Sequence, residues 1–153
     1  MHVFRGLPET ADVPVALTIG NFDGVHRGHQ AMLSRLLEAA EDLALPPAVL
    51  TFDPHPREFF GRASAPPRLS TLRGKLEAFA AQGIERTYIA RFNAAMAGLS
   101  PATFIEREAA ATPLLLLLDN SLFGVDEALV QDILPIHPGH HAGCGNRRPA
   151  QKA

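Results

Sequence analysis

The apolar positions of this chain change period several times, and each change marks an element. The run Val13-Pro14-Val15-Ala16-Leu17-Thr18-Ile19 is apolar at nearly every position, as in a strand covered on both faces of a parallel sheet, with Pro14 at its first residue. From His29 onward, Met32, Leu33, Leu36, Leu37, Ala40 and Leu43 follow helical spacing, while Arg35, Glu38, Glu41 and Asp42 take the other face. Pro46-Pro47 ends that helix, and Ala48 to Phe52 reads as a second buried strand. Strand, helix, strand predicts a parallel pair with a right-handed crossover. Asp53-Pro54-His55-Pro56-Arg57-Glu58-Phe59-Phe60 then reads as a rigid loop at the carboxyl end of the sheet, where open α/β sheets bind ligands.

The rest of the pattern extends the same α/β class. Gly61 to Pro67 reads as a mobile linker, and Ser70 as the cap of a helix carrying Leu72, Leu76, Phe79 and Ala80 and closed by Gly83. Arg73 and Lys75 belong to its solvated charged face. Thr87 to Phe92 is a third strand, Ser100-Pro101 starts a helix continued by Phe104, Ile105 and Glu108, and Leu114 to Leu118 is a fourth strand. His2 to Gly6 adds a short edge strand. Gly124 to Leu134 reads as a last short helix, and residues 135–153 as a disordered tail too poor in apolar surface to order itself. One folded unit is expected over residues 1–134.

Composition narrows the function. A chain of 153 residues, 46% hydrophobic, matches one domain with a real core. Its 14 basic and 16 acidic residues give a net charge of −2, which argues against a nucleic-acid or anionic-membrane partner, so any phosphate binding must be local. The single cysteine, Cys144, excludes an intrachain disulfide, and Met1 to Pro14 has no signal-peptide pattern, so the cytoplasm is the expected location. Leu114 to Leu118 is far shorter than the ~20 residues of a membrane span. His137, His140, His141 and Cys144 are metal-friendly types without a folded frame, and no metal site is assigned to them.

The chemistry concentrates in Gly20-Asn21-Phe22-Asp23-Gly24-Val25-His26-Arg27-Gly28-His29, between the first core strand and the first helix. Glycines there permit positive φ and close approach of a ligand. His26 and His29 bracket the helix start, whose unpaired N–H groups form an anion site suited to a phosphate ester. No lysine follows the glycines, so this is not a G-x-x-x-x-G-K-[ST] loop, and the phosphate chemistry is expected to be histidine-assisted. Asp23 has two readings, a ligand contact or an ordinary turn-orienting carboxylate.

Together GNFDGVHRGHQ, LTFDPHPREFF, RLSTLRGKLEAFAAQGIERTYIARFN and LSPATFIE resemble, in order, the adenylyltransferase module of bacterial bifunctional riboflavin kinase/FAD synthetases, from about Val13 to Glu108. The resemblance implies a Rossmann-like nucleotidyltransferase of the HxGH superfamily, a parallel sheet flanked by helices, moving AMP from Mg-ATP to the phosphate of FMN and releasing pyrophosphate. It implies that Gly20, Asn21, Phe22, Asp23 and Gly28 lie along the nucleotide and that His26 and His29 act on its phosphates. Pro54, His55, Pro56 and Phe60 would line the flavin side. Magnesium would enter with ATP, and no protein metal site is implied.

Beyond Glu108 the resemblance weakens. Leu118-Asp119-Asn120-Ser121-Leu122-Phe123-Gly124 matches the family's G-[DEN]-[DN]-F-x-F-G block only at Asp119, Asn120, Phe123 and Gly124, and no S-S-T-x-x-R segment follows. The expectation is a reading frame truncated or shifted after about residue 112, without the riboflavin kinase domain. Two alternatives stand beside FAD synthesis: a non-catalytic nucleotide- or flavin-binding fragment, and adenylyl or cytidylyl transfer to another phosphate acceptor.

Overall fold

Alternate residues of the apolar runs point to opposite faces of one sheet, and both faces are covered. The computed structural model describes residues 1–6, 13–61, 67–100, 102–104 and 114–118, the last as backbone alone. Strands β1 (His2–Arg5), β2 (Val15–Ile19), β3 (Pro47–Phe52), β4 (Arg86–Ala90) and β5 (Leu114–Leu118) form a sheet in the order β1-β4-β3-β2-β5, parallel at every pairing. Val15, Leu17 and Ile19 share one face with Leu50, Phe52, Tyr88 and Ala90, extended by Phe92 and Phe104. Ala16 and Val49 face the other way, onto Leu33, Leu36 and Ala40 of helix α1 (Arg27–Asp42) and Phe79 of helix α3 (Leu72–Ala81). Leu33, Leu36 and Phe79 are fully buried. Each such side chain contributes about 1.5–3 kcal/mol.

The connections place the site. From β2 through α1 to β3, and from β3 through α3 to β4, the chain steps steadily across the sheet, whereas β5 lies on the far side of β2. The strand order therefore reverses between β2 and β5. A crevice at the carboxyl ends of strands that straddle such a reversal is the usual ligand position in open α/β sheets. The Gly20–His29 stretch leaves β2 at that place.

The architecture agrees with the sequence pattern, including the edge strand and the parallel crossover, and the differences are local. The segment after β3 is not a loop throughout: Pro56–Gly61 is a helix, α2. His55 caps it, its Nδ1 accepting from Arg57 N–H at 3.1 Å and its carbonyl from Glu58 N–H at 2.9 Å, with Pro56 at the first helical position where no N–H is needed. The cap of α3 is Thr71, whose Oγ1 accepts from Gly74 N–H at 3.1 Å, and not Ser70. Gly83, at φ 93, closes α3 as its position predicts. A short helix α4 (Ala94–Ala97), capped by Asn93, has no counterpart in the sequence reading because one turn is too short for a periodic signal. Ser100 caps the next turn through Thr103 N–H at 3.1 Å. Of the expected Gly61–Pro67 linker, Gly61 instead ends α2, and residues 62–66, the continuation of that last helix through Ile105 and Glu108, the Asp119–Gly124 block, the helix at 124–134 and the tail at 135–153 lie outside the described residues.

Candidate functional site

The turn after β2 is built on a buried ring. Phe22 is fully buried, packs edge-to-face on Phe79 with centroids 5.3 Å apart, and tilts against His29 at 5.1 Å. A Cβ on Gly20 would lie 2.8 Å from that ring, so glycine is needed there for space rather than for a special φ. Positive φ falls instead on Phe22 (51°), Gly24 (74°) and Val25 (38°). Non-glycine residues in that region cost on the order of 1–3 kcal/mol each and persist only where packing over-determines them. Burial of Phe22 and Val25 supplies the packing. Of the residues expected along the nucleotide, Phe22 thus has its side chain in the core and only its backbone on the turn.

His26 and His29 come together at the start of α1. Their rings stack with centroids 3.7 Å apart and planes 19° from parallel, and His26 Nδ1 accepts from His29 N–H at 3.4 Å as the helix cap. Gln30 N–H bonds His26 O at 2.9 Å, while the N–H groups of Arg27 and Gly28 at the helix start meet no acceptor among the described residues and can serve an anion. Gly28 matters through its neighbour, because a Cβ there would stand 3.2 Å from His26 Cε1 and 3.3 Å from its Nδ1.

Asp23 serves as a clasp. Its carboxylate accepts from Leu69 N–H at 3.0 Å, Ser70 N–H at 2.9 Å and Ser70 Oγ–H at 3.0 Å, while Gly24 N–H donates to Ser70 Oγ at 3.0 Å. Burial pushes this carboxyl up, but the hydrogen bonds from Leu69 and Ser70, with Lys75 nearby, outweigh it and hold it below its usual value. Arg68 in the same segment pairs with Asp53 at 3.1 Å and with Glu58. Its hydrogen bond lowers the Glu58 carboxyl, and Glu58 raises the Arg68 guanidinium. The turn, the end of β3 and the approach to α3 are thereby tied around a small polar cavity lined by Asp23, Asp53, His55, Arg68, Ser70 and Lys75.

On the side of the cavity expected to meet the flavin, His55 is half-buried, and burial depresses its pKa despite the opposing field of Asp23. Phe60 is 68% exposed and meets Phe59 and Phe92 edge-on at 5.3 and 5.7 Å, while Phe59 packs against the core. One ring of the Phe59-Phe60 pair is therefore open to a planar ligand. The structure gathers the turn residues at the carboxyl end of β2 and sets Pro54, His55, Pro56 and Phe60 beyond the carboxyl end of β3, with Asp23 and His55 lining the same cavity.

Sequence reasoning missed Lys75. It is 6% exposed, not solvated, and donates to Asn21 O at 2.6 Å and Thr51 Oγ1 at 3.2 Å. Burial lowers its pKa, and Asp23 partly restores it. The signal was in the spacing, since Lys75 stands three residues after Leu72 and four before Phe79 on the helix stripe that meets the sheet. Arg73, on the opposite side, is solvated as expected and pairs only with Glu77 at 2.8 Å among the described residues.

Comparisons with known proteins agree with this geometry. A model of the FAD synthetase family matches residues 9–127. The bifunctional riboflavin kinase/FMN adenylyltransferase of Pseudomonas fluorescens is 49% identical over 90 residues, 59% of this chain and 29% of that protein. The protein of the same description from Escherichia coli K12 is 42% identical over 108 residues, 69% of this chain and 34% of its own length. The chain thus spans about a third of the length of these relatives. Among solved structures, one described as a macrolide-efflux protein from Streptococcus pneumoniae superposes with a TM-score of 0.63 at 19% identity, over 77% of this chain and 41% of that one, a likeness of fold alone. No helix among the described residues is long and apolar enough to cross a membrane.

Proposed function

The chain belongs to the FAD synthetase family, and from that premise we propose that it transfers AMP from Mg-ATP to the phosphate of FMN, giving FAD and pyrophosphate. The observation that carries this reading is the strand, strained turn and helix start at the sheet's switch point, with His26 and His29 stacked on each other at the first turn of α1.

A phosphate oxygen of FMN is already an anionic nucleophile, so the protein needs no general base. That oxygen forms a bond to the α-phosphorus of ATP as the bond from the same phosphorus to the β-bridging oxygen breaks, and pyrophosphate leaves with the electron pair. The work left to the chain is alignment and neutralisation of developing charge. In this proposal His26, His29 and the N–H groups of Arg27 and Gly28 hold the phosphates, and the backbone of Gly20, Asn21, Phe22 and Asp23 borders the nucleotide. The flavin lies toward Pro54, His55 and Pro56, with its ring against exposed Phe60, whose face offers a stacking surface.

The acidic groups near the turn are engaged, Asp23 with Leu69 and Ser70, Asp53 and Glu58 with Arg68. Among the described residues no group of three or more His, Cys, Asp and Glu side chains is placed to hold a metal ion, and magnesium arriving with ATP would supply Lewis-acid charge through the phosphates. Small-molecule substrates and a cytoplasmic location go with this reading, in keeping with the chain's small net charge of −2.

Turnover with Mg-ATP or Mg-CTP and alternative acceptors tests the reading. FMN is expected to be adenylylated while phosphopantetheine and riboflavin are not. Equal use of phosphopantetheine, or transfer of CMP in preference to AMP, would replace this reading with a different phosphate acceptor or nucleotide.

A further inference from the structure

Three elements meet at one carbonyl oxygen. Asn21 O accepts from Lys75 Nζ of α3 at 2.6 Å and from Thr51 Oγ1 of β3 at 3.1 Å, and Lys75 Nζ also reaches Thr51 Oγ1 at 3.2 Å. Thr51 is fully buried and Lys75 nearly so. Among the described residues Lys75 forms no ion pair with a carboxylate. A largely desolvated ammonium whose hydrogen bonds go to a carbonyl and a hydroxyl, with the Asp23 and Asp53 carboxylates across the cavity and not in direct contact, is costly, and methionine would fill the same space. What the ammonium adds is orientation and charge.

The orientation follows from amide geometry. In a trans peptide the C=O and N–H point in opposite directions, so drawing Asn21 O toward α3 turns the N–H of Phe22 away from it. The same Phe22 sits at φ 51, a conformation that needs restraint from its surroundings. Lys75 also lines the cavity shared with Asp23, Asp53 and His55, so its charge lies at the base of the turn that carries the histidines.

Building on the FAD-synthetase reading, we infer that Lys75 is a positioning residue for the nucleotide: it fixes the Asn21–Phe22 peptide so that the turn faces the ATP phosphates, and lends them a buried positive charge.

The test is equilibrium binding of Mg-ATP and of FMN to the 153-residue chain and to Lys75→Met, Thr51→Val and the double variant, with thermal unfolding of each. Lys75→Met is expected to weaken ATP about tenfold, the size of a lost charged hydrogen bond, and FMN less than about twofold. Thr51→Val removes the second donor to the same carbonyl and keeps the charge, so a loss of roughly two- to threefold for ATP is expected. The two losses should fail to add, as they do for groups sharing a partner. Unchanged ATP binding by Lys75→Met, or equal losses for ATP and FMN, would overturn the inference and leave Lys75 a general packing residue. Should Lys75→Met not fold, Thr51→Val decides alone: loss confined to ATP supports the inference, and no loss overturns it. If the unsubstituted chain binds neither ligand, the functional reading itself fails, an outcome distinct from a chain that binds ATP with or without Lys75.

Discussion

Gly28 separates stability from chemistry at the level of one residue. It lies in the first turn of α1, where alanine should gain up to about 1 kcal/mol in helix preference. A Cβ at that position meets the His26 ring at 3.2 Å, so the ring must shift by a few tenths of an ångström and the histidine stack with it. Gly28→Ala should therefore melt at the same or a higher temperature yet turn over roughly tenfold more slowly, since small misplacements at a phosphoryl-transfer site are costly. Full activity would detach the stack from catalysis. The glycines were legible as a motif, but their jobs were not. Gly20 and Gly28 are set by clashes with Phe22 and His26, whereas positive φ is carried by Phe22, Gly24 and Val25, and no composition rule predicts a buried phenylalanine there.

Titration also acts at single residues. Asp23, Glu58 and His55 all have folded pKa values below their ordinary 3.8, 4.5 and 6.5. In each case the unfolded chain binds the proton first on acidification. Their stabilisation is present above those ordinary values and is lost as pH falls through the lower folded ones. Thermal midpoints should hold from pH 8 to about 7, begin to fall below about 6.5 with His55, and drop further below about 4.5 with the carboxylates. His55→Gln should remove the first decline and leave the second.

Between elements, the Asp23 clasp is the device that local sequence could not reveal. Ser70 and Thr71 are adjacent and equally good caps, and the choice is made by Asp23, 47 positions from Ser70, which engages Ser70 and leaves Thr71 to α3. Thr71→Ala should cost about 1 kcal/mol, as for other lost caps. Asp23→Asn gives up the charge-assisted acceptor for two backbone N–H groups and a hydroxyl, and should cost about 1–3 kcal/mol. Hydrogen exchange offers a sharper readout, with faster exchange expected at Leu69 and Ser70 and none at the β2–β3 pairing. Helix α2 has a similar lesson. His55-Pro56 reads as loop because of its prolines, yet proline at a first helical position with a capping residue before it is also a helix signal.

For the molecule as a whole, the periodic runs carried the fold: buried strands β2 and β3, helix α1 between them, and a parallel sheet all follow from apolar positions that physical burial explains. The lateral order β1-β4-β3-β2-β5 does not follow from any one run, because strands of the same apolar character can pair in several orders. That order is what sets the turn after β2, and with it His26 and His29, at the switch point of the sheet. Lys75 escaped for the complementary reason. Its charge suggested solvent, and only its place on the stripe between Leu72 and Phe79 indicated the interior.

The proposed adenylyl transfer by this chain, which spans about a third of the length of its relatives, rests on the stacked histidines. Its most direct test is FAD formation by the purified 153-residue chain with Mg-ATP and FMN, beside a His29→Ala variant whose cooperative unfolding has been verified. The expected result is FAD and pyrophosphate in equal amounts from the unsubstituted chain, and a loss of roughly 100-fold or more in the variant, as for removal of a donor to developing charge. A cooperatively folded chain that makes no FAD, or a His29→Ala variant as active as its parent, would contradict it.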